Sequence, residues 1–405
     1  MAEPTSALGF YDLLLRIAEK AGMAYYGSAG QGKAIAPVDV FNLDKCKRII
    51  NDGFRLFVAS PPAQGWLWQE RMAEITLAVT VNGTATSGSS TTLVDTTNRD
   101  EDDDYFNDWL LTITAGTGVG ESAIITDFDN GTSTLTFSGG LSNGSTPDTT
   151  SIYQVEKVNL LPEDFNGEVD GAVTYAASTN HGTELEIVDE SLIRAIRADY
   201  ISSGYPSKVA ILPYWPVAGA LGTRRWQLIT DYATVNADVL NVPYTSHFNK
   251  MDCETGIADS GGATTLVDSD RGEADDYFNG WLLTVIAGTG LGETATIDDD
   301  YAGSTGTFTF TALSGGSSPD STTVYYVEPA ANLHPAGVKF DNCILQACYA
   351  EAEKQIEEIN EGAVELYYKV SLPFAYKMDG RSRPRKLRSK RAIVRERTWR
   401  NIVQL

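Results

Sequence analysis

Two glycine-rich hexapeptides, GTGVGE from Gly116 and GTGLGE from Gly288, are the first residues in this chain that could do chemistry. Glycines at alternate positions can turn backbone N–H groups toward a phosphate. Neither hexapeptide is followed by Lys, and each lies between strand-like runs, whereas a dinucleotide site needs a strand followed by a helix. A glycine-rich hairpin turn is therefore expected at both. The acidic runs Asp100, Glu101, Asp102, Asp103, Asp104 and Glu273, Asp275, Asp276 could gather a hard cation. They lack the alternating spacing and closing Glu of a helix-loop-helix calcium site, so solvated loops are expected and no metal is assigned. His181, His247 and His334 stand in unrelated stretches, with no Ser or Cys in an elbow motif and no second His one helical turn away. Cys46, Cys253, Cys343 and Cys348 fall at no metal-ligand spacing and are expected as small buried hydrophobes. These patterns point away from an enzyme and require no cofactor.

The C-terminal segment is different, because its composition demands a partner. From Arg381 to Leu405 it carries ten Lys or Arg against Glu396. The residues assigned to partner binding are Arg381, Arg383, Arg385, Lys386, Arg388, Lys390, Arg391, Arg395, Arg397, Trp399 and Arg400. Leu387, Ile393, Val394, Ile402 and Val403 interleave with these bases, and a purely solvated arm has no use for apolar residues. An extended arm that orders on an acidic neighbouring surface is expected, ahead of a solvated tail and of direct contact with nucleic acid.

The elements that must position these features include a repeat. TTLVDTTNRDEDDDYFNDWLLTITAGTGVGE from Thr91 and TTLVDSDRGEADDYFNGWLLTVIAGTGLGE from Thr264 are copies, offset by 173 residues before the acidic run and 172 after it. The difference predicts a single deletion in a loop. Within residues 83–156 and 256–328 the apolar pattern has period two, with Trp109, Leu111 and Ile113 on one face and Trp281, Leu283 and Val285 on its counterpart. Each copy is expected to be a compact antiparallel β module inserted into a host whose ends it brings together. Each also carries twelve acids against one base, Arg99 or Arg271, so the two modules hold nearly all of the net charge of -23.

Outside the modules, Leu8, Tyr11, Leu15 and Ala18 follow helical spacing up to Gly22, and Cys46, Ile49, Ile50, Phe54 and Phe57 share one face of a second helix that Pro61 and Pro62 end. GWLWQERMAEITLAVTV predicts a strand leading into the first module. A short helix over 189–202 presents Leu192, Ile193, Ile196 and Tyr200, and PSKVAILPYW and RRWQLITDYATVNADVLNVPYT read as strands. A late helix, expected to be the longest, places Leu345, Cys348, Ala352, Ile356 and Ile359 inward and Glu351, Glu357, Glu358 and Glu361 outward until Pro373 interrupts it. The resulting division is 1–82 helical, 83–156 first module, 157–255 β-rich middle, 256–328 second module, 329–380 late helix and 381–405 basic arm. The expected class is α+β. No run of eighteen apolar residues occurs, and MAEPTSALGFYDLLLRIAEK has acids where a secretory leader has bases, so a cytosolic origin and no membrane are expected.

The host resembles the head-to-tail adaptor (connector) proteins of tailed double-stranded DNA phages. The resemblance is carried by NDGFRLFV followed by WLWQE, by LPEDFNGEV, YPSKVAILP and CILQACYAEAEKQ, and by the C-terminal arm. The modules look like the Gly/Thr-rich β modules of many phage virion proteins. The resemblance implies a helical adaptor core in a ring of about twelve copies at the neck of the virion. The arm grips the portal protein at the capsid vertex, a tail or stopper protein sits on the other side, and genome DNA passes through the lumen with at most transient contact. Another tail or neck component, a terminator or fibre-attachment protein whose modules bind partners or surface glycans, is the alternative. In that case Trp109 and Trp281 are candidate glycan platforms, although their alternating apolar face suits core packing.

Overall fold

The computed structural model describes residues 6–27, 30, 32–176, 184–199, 203–214, 225–357 and 362–380. The protein is α+β, with 23% helix, 32% strand and several antiparallel sheets. The described residues fall into two compact units, one drawn from Met1–Trp68 and Phe248–Leu405, the other from Gln69–His247.

The first unit is built on helices around the second β module. Helix Phe10–Lys20 begins where the Asp12 carboxylate accepts the Gly9 N–H at 3.1 Å, and it stops at Gly22, whose φ of 68° suits a residue without a Cβ. Its buried face is Phe10, Leu13, Leu14, Ile17 and Ala18. The expected stripe was rotated from this one: Ala18 is buried, but Leu8, Tyr11 and Leu15 are half-buried at its margin. Helix Val40–Val58 is capped by Asp39, which accepts the N–H groups of Phe41 and Asn42, both at 3.2 Å. All five residues expected on its apolar face, Cys46, Ile49, Ile50, Phe54 and Phe57, are buried. That face packs on helix Asp341–Ala352, and the two backbones meet at Gly53, where a Cβ would lie 2.6 Å from the Cys348 Cα.

The late helical stretch differs from expectation in two ways. Its α-helical part, Asp341–Ala352, is 12 residues long against 19 for Val40–Val58, and it passes through a π-helical turn at Glu353–Glu357. Among the residues expected to face outward, Glu351 is half-buried and pairs with Lys354 at 2.7 Å; Glu358, Glu361 and Ile359 lie outside the described residues. Glu353 turns inward and accepts the N–H groups of Ala363 and Val364 at 2.9 and 3.1 Å, capping the next helix, Gly362–Leu366. Pro373 does not interrupt the pattern. It sits second in helix Leu372–Gly380, directly after another π turn, Tyr367–Ser371. The wider turn displaces the carbonyl that a proline ring would strike in a regular α-helix, so the chain stays helical.

In the second unit, strand Glu70–Thr76 pairs antiparallel with Val239–Ser246, placing Ala73 opposite Val242, and Phe165–Val169 and Thr174–Tyr175 flank the far side of Val239–Ser246. A second sheet pairs Lys208–Tyr214 with Arg225–Thr230. Between them lies a core of Leu77, Leu161, Val173, Val209, Leu228 and Leu240. Helix Glu190–Asp199 was expected to bury a stripe, yet Ile193 is buried while Leu192 and Ile196 are exposed; Tyr200 lies outside the described residues. Of the described residues expected on that stripe only Ile193 is buried, and Arg197 adds an ion pair to Glu156 at 2.9 Å, so the apolar pattern overstated the burial.

Both copies of the repeat are seven-stranded sheets of the same order. In the first, Val81–Thr84 pairs with Ile152–Glu156, followed across the sheet by Leu110–Ala115, Ser122–Asp129, Thr134–Phe137, Thr92–Val94 and Ser87–Gly88. In the second, Glu254–Ile257 pairs with Val324–Glu328, and the order repeats. The sheets start two residues before the boundaries read from sequence. The copies also differ by more than one deletion. Phe128 stands opposite Leu135 and Tyr301 opposite Phe308, which returns the offset to 173 until Leu141 and Leu313 restore 172. The extra residue is taken up in a bulge between Ile297 and Tyr301, which bends the strand without breaking the pairing on either side.

The close helix crossing yields a test. Gly53→Ala places a methyl group against the Cys348 backbone, which cannot rotate away, and should destabilise the protein by about 1–3 kcal/mol. Thermal unfolding followed by circular dichroism should show a lowered midpoint, and Cys348→Ala should rescue it only in part, because it removes the Sγ at 2.8 Å but leaves the backbone Cα and N at 2.6 and 2.7 Å.

Candidate functional site

The glycine turns are hairpins. Gly116, Gly118 and Gly120 have φ of 81°, 83° and 83°, and Gly288, Gly290 and Gly292 match them. Four amides of the first turn are engaged: Val119 N–H donates to Gly116 O, Gly120 N–H to Ile113 O, Glu121 N–H to Gly118 O, and Thr117 N–H to Thr150 Oγ1. A phosphate cradle needs several convergent free donors, and these four point elsewhere. Glu121 closes the loop by accepting the Asn143 and Ser145 N–H groups, and Glu293 does the same with Gly315 and Ser317. These hydrogen bonds hold both carboxyls below their ordinary range, led in each by the serine hydroxyl.

The acidic runs divide into exposed and buried parts. Asp102, Asp103 and Asp104 are exposed, as are Asp275 and Asp276. Asp103 and Asp275 accept backbone N–H groups from Asn130 and Gly303. Among the described residues no group of three or more His, Cys, Asp or Glu is placed to hold a metal ion. Glu101 and Glu273 belong instead to a buried network that sequence reading missed. Arg99, the sole base of residues 83–156, is buried. Its Nη1 donates to Glu101 at 2.7 Å and its Nη2 to the Asn82 carbonyl at 2.8 Å, while Nε lies 3.9 Å from Asp95. Tyr153 donates its hydroxyl to Asp95 at 2.8 Å. In the second copy Arg271 pairs with Glu273 at 3.0 Å, Tyr325 donates to Asp268 at 2.6 Å, and Arg271 Nε donates to the Tyr325 oxygen at 3.0 Å. Burial first, then the neighbouring carboxylate, pushes both tyrosine hydroxyls well up. The signal was present: each module keeps one base, and the Asp of TTLVD is identical in both. The deletion falls between that Asp and the Arg, and the long guanidinium stem absorbs it.

The second copy extends this network into the helices of its own unit. Lys47, on helix Val40–Val58, reaches Glu254 at 2.7 Å, Asp252 at 3.0 Å and the Cys253 carbonyl at 3.0 Å, and the other Glu254 oxygen meets Arg271 at 3.0 Å. The position of Glu254 in the first copy is Val81, paired with Val155 as Glu254 is with Val327. One module is thus rooted in the helical part of its unit by an ion chain whose acid the other lacks.

Trp109 is buried, and Trp281 packs half-buried on the second module's core. Neither is an open glycan platform. Tyr105 and Tyr277 are the exposed aromatics of the pair, lying 5.4 and 5.8 Å from those tryptophan rings. All four cysteines are free and buried, and burial pushes the thiols of Cys46 and Cys343 up to about 11 and about 12. His334 is buried with Nε2 3.0 Å from Asp341, whose other oxygen accepts the Leu8 N–H at 2.7 Å, so it serves to hold the N-terminal segment. His247 lies in the other unit, and His181 lies outside the described residues. So does the whole arm from Arg381 to Arg400 with its assigned partner-binding residues. Compared with known proteins, the chain matches no family model and no curated protein.

Two outcomes check this reading. A Cβ on Gly83 would stand 2.5 Å from both Asp95 and the Tyr153 hydroxyl, so Gly83→Ala should break that bond and cost about 1–3 kcal/mol, measurable as a lower unfolding midpoint. The Asp252 carboxyl is pushed up by burial, but hydrogen bonds from Lys250 and Lys47 outweigh this and leave it lowered. A lowered folded value means its stabilisation is full above the unfolded value of 3.8 and is lost as pH falls through the folded one. Unfolding midpoints should therefore drop below about pH 4, and the drop should be shallower in Asp252→Asn.

Proposed function

We propose that this chain is a non-enzymatic structural protein of a tailed phage virion. In this reading about twelve copies close into a ring adaptor between portal and tail, with a lumen for genome DNA. The observation that carries it is the pairing of two self-closed acidic modules with a basic arm rich in apolar residues: one chain bears both a repelling exterior and a segment built to be gripped. The first unit supplies surfaces for lateral packing. Leu366, Val370 and Phe374, spaced four apart, are exposed by 44%, 58% and 58%, and Phe41 by 72%. Apolar surface left open to this degree suits burial against another copy. The bases Arg385, Lys386, Arg388, Lys390 and Arg391 are assigned to the portal contact.

The alternative, a terminator or fibre-attachment protein, draws on Tyr105 and Tyr277, whose exposed rings over tryptophans in both modules would suit a sugar face.

Electron microscopy of the purified full chain should show a closed ring. A trimer would favour the fibre role, and a stable monomer would overturn both. Replacing the five named bases by Glu should abolish capsid attachment while rings still form, since reversing charge on a complementary surface costs several kcal/mol, or about a hundredfold or more in affinity. Normal attachment by that variant would remove the arm from the portal contact.

A further inference from the structure

In the first unit a cleft of about 700 Å³ opens between the N-terminal segment and the second module. Tyr11, Tyr25 and Ile35 line one side, and Ile257, Leu291 and Val324 the other. The repeat provides an internal comparison. Where the second module has Ile257 and Ile286, the first has Thr84 and Thr114, both exposed. The same sheet closes with threonine at both positions, so the module's own core does not need the isoleucines. Ile286 packs on the helical core. Ile257 and Leu291 remain exposed by 40% and 68% at the cleft. An apolar wall stands here on an acidic module, and among the described residues nothing covers Ile257 or Leu291.

We propose that this cleft receives Trp399 from the arm of a second copy of the chain. The inference rests on the ring reading above, in which each copy presents one surface forward and a different one back. Three features select this occupant. The module as a whole carries about eleven net negative charges, which draw in a segment whose anchor is flanked by Arg397 and Arg400, while among the described residues the cleft itself is lined by apolar and neutral side chains with Lys33 as its one charge. The other terminal segment outside the described residues, Met1–Thr5, has no aromatic and carries Glu3. The described chain ends at Gly380, and an extended stretch from there to Trp399 spans roughly 60 Å, enough to cross a neighbouring domain. An indole entering an apolar recess is a common form of interface anchor. The proximal bases remain free for the portal, so one arm ties ring neighbours together and presents its basic run to the capsid side.

Disulfide trapping in the full-length protein tests this directly. Leu291→Cys with Thr398→Cys, which keeps the Trp399 indole, mixed with oxidised glutathione, should give a ladder of linked oligomers on a non-reducing gel that collapses under reductant. The four native thiols are buried and leave the background low. Val119 is the counterpart of Leu291 in the first module and is exposed by 64%, so Val119→Cys with Thr398→Cys is the matched control and should give no ladder. Equal ladders from both pairs would show an undirected arm and overturn the proposal. A cross-link confined within single chains would overturn it too. Absence of any cross-link in particles that electron microscopy shows to be rings would overturn this docking and leave the adaptor reading standing; absence of rings would remove the adaptor reading itself.

Discussion

An inserted module can leave its host folded only if its first and last residues meet. Here that condition is met by backbone hydrogen bonding between entry and exit strands, Val81–Thr84 on Ile152–Glu156 and Glu254–Ile257 on Val324–Glu328. The remaining architecture follows from this pairing. Because the two strands lie side by side, each sheet can close its own core, thirteen buried hydrophobic residues in each case, without borrowing from the host. Pairing at the module's root also fixes register, since a slip by one residue would turn Tyr153 or Tyr325 out of the core.

The same root is where polarity is buried. A lone arginine inside an acidic module would be costly unless each of its donors found an acceptor. In the first copy Glu101 and the Asn82 carbonyl accept from Arg99, whose Nε makes no hydrogen bond and is balanced only by the Asp95 charge 3.9 Å away; in the second, Asp268, Glu273 and Glu254 supply the charge. The glycine at 83 or 256 is what admits this cluster, since a Cβ there would collide with the carboxylate and the tyrosine hydroxyl. Arg271 shows how the balance falls: burial pulls its pKa down, and Tyr325 and Glu254 together more than restore it.

Much of this was legible in the sequence, for reasons that can be named. Period-two alternation located the module strands because one face is fully buried, and the five-residue stripe of helix Val40–Val58 was read correctly because both flanks of that helix are polar. The misreadings share another cause. Leu192 and Ile196 follow helical spacing but stay exposed, because spacing reports what a helix could bury and says nothing of whether a partner surface is present. Pro373 reads as a stop only if the preceding turn is α-helical, and a π turn leaves no mark in composition. The compensating changes near Tyr301 were hidden because identities resume on either side. The buried Arg networks were missed because charge counts assign acids and bases to solvent by default, although a single base in each of two diverged copies is what a structural ion pair looks like in sequence.

Divergence between the copies then becomes the most informative quantity in the chain. Two modules of one fold, each solving its own core, are free to differ wherever they face something else. Val81 against Glu254, Thr84 against Ile257 and Thr114 against Ile286 are such differences, and all three lie on or beside the strands at the module's root. The glutamate ties the second copy to Lys47, one isoleucine packs on the helical core, and the other is left at an open cleft. Positions that stayed identical while exposed, such as Asp103 with Asp275 and Asp148 with Asp320, are accounted for within each module by the backbone amides they accept. Apolar gain at an exposed position has no such internal account, because it lowers solubility and adds nothing to the fold. A surface that acquires it in one copy alone marks a contact that the module's own fold does not require, and the proposed docking of a basic arm is one way to cover it.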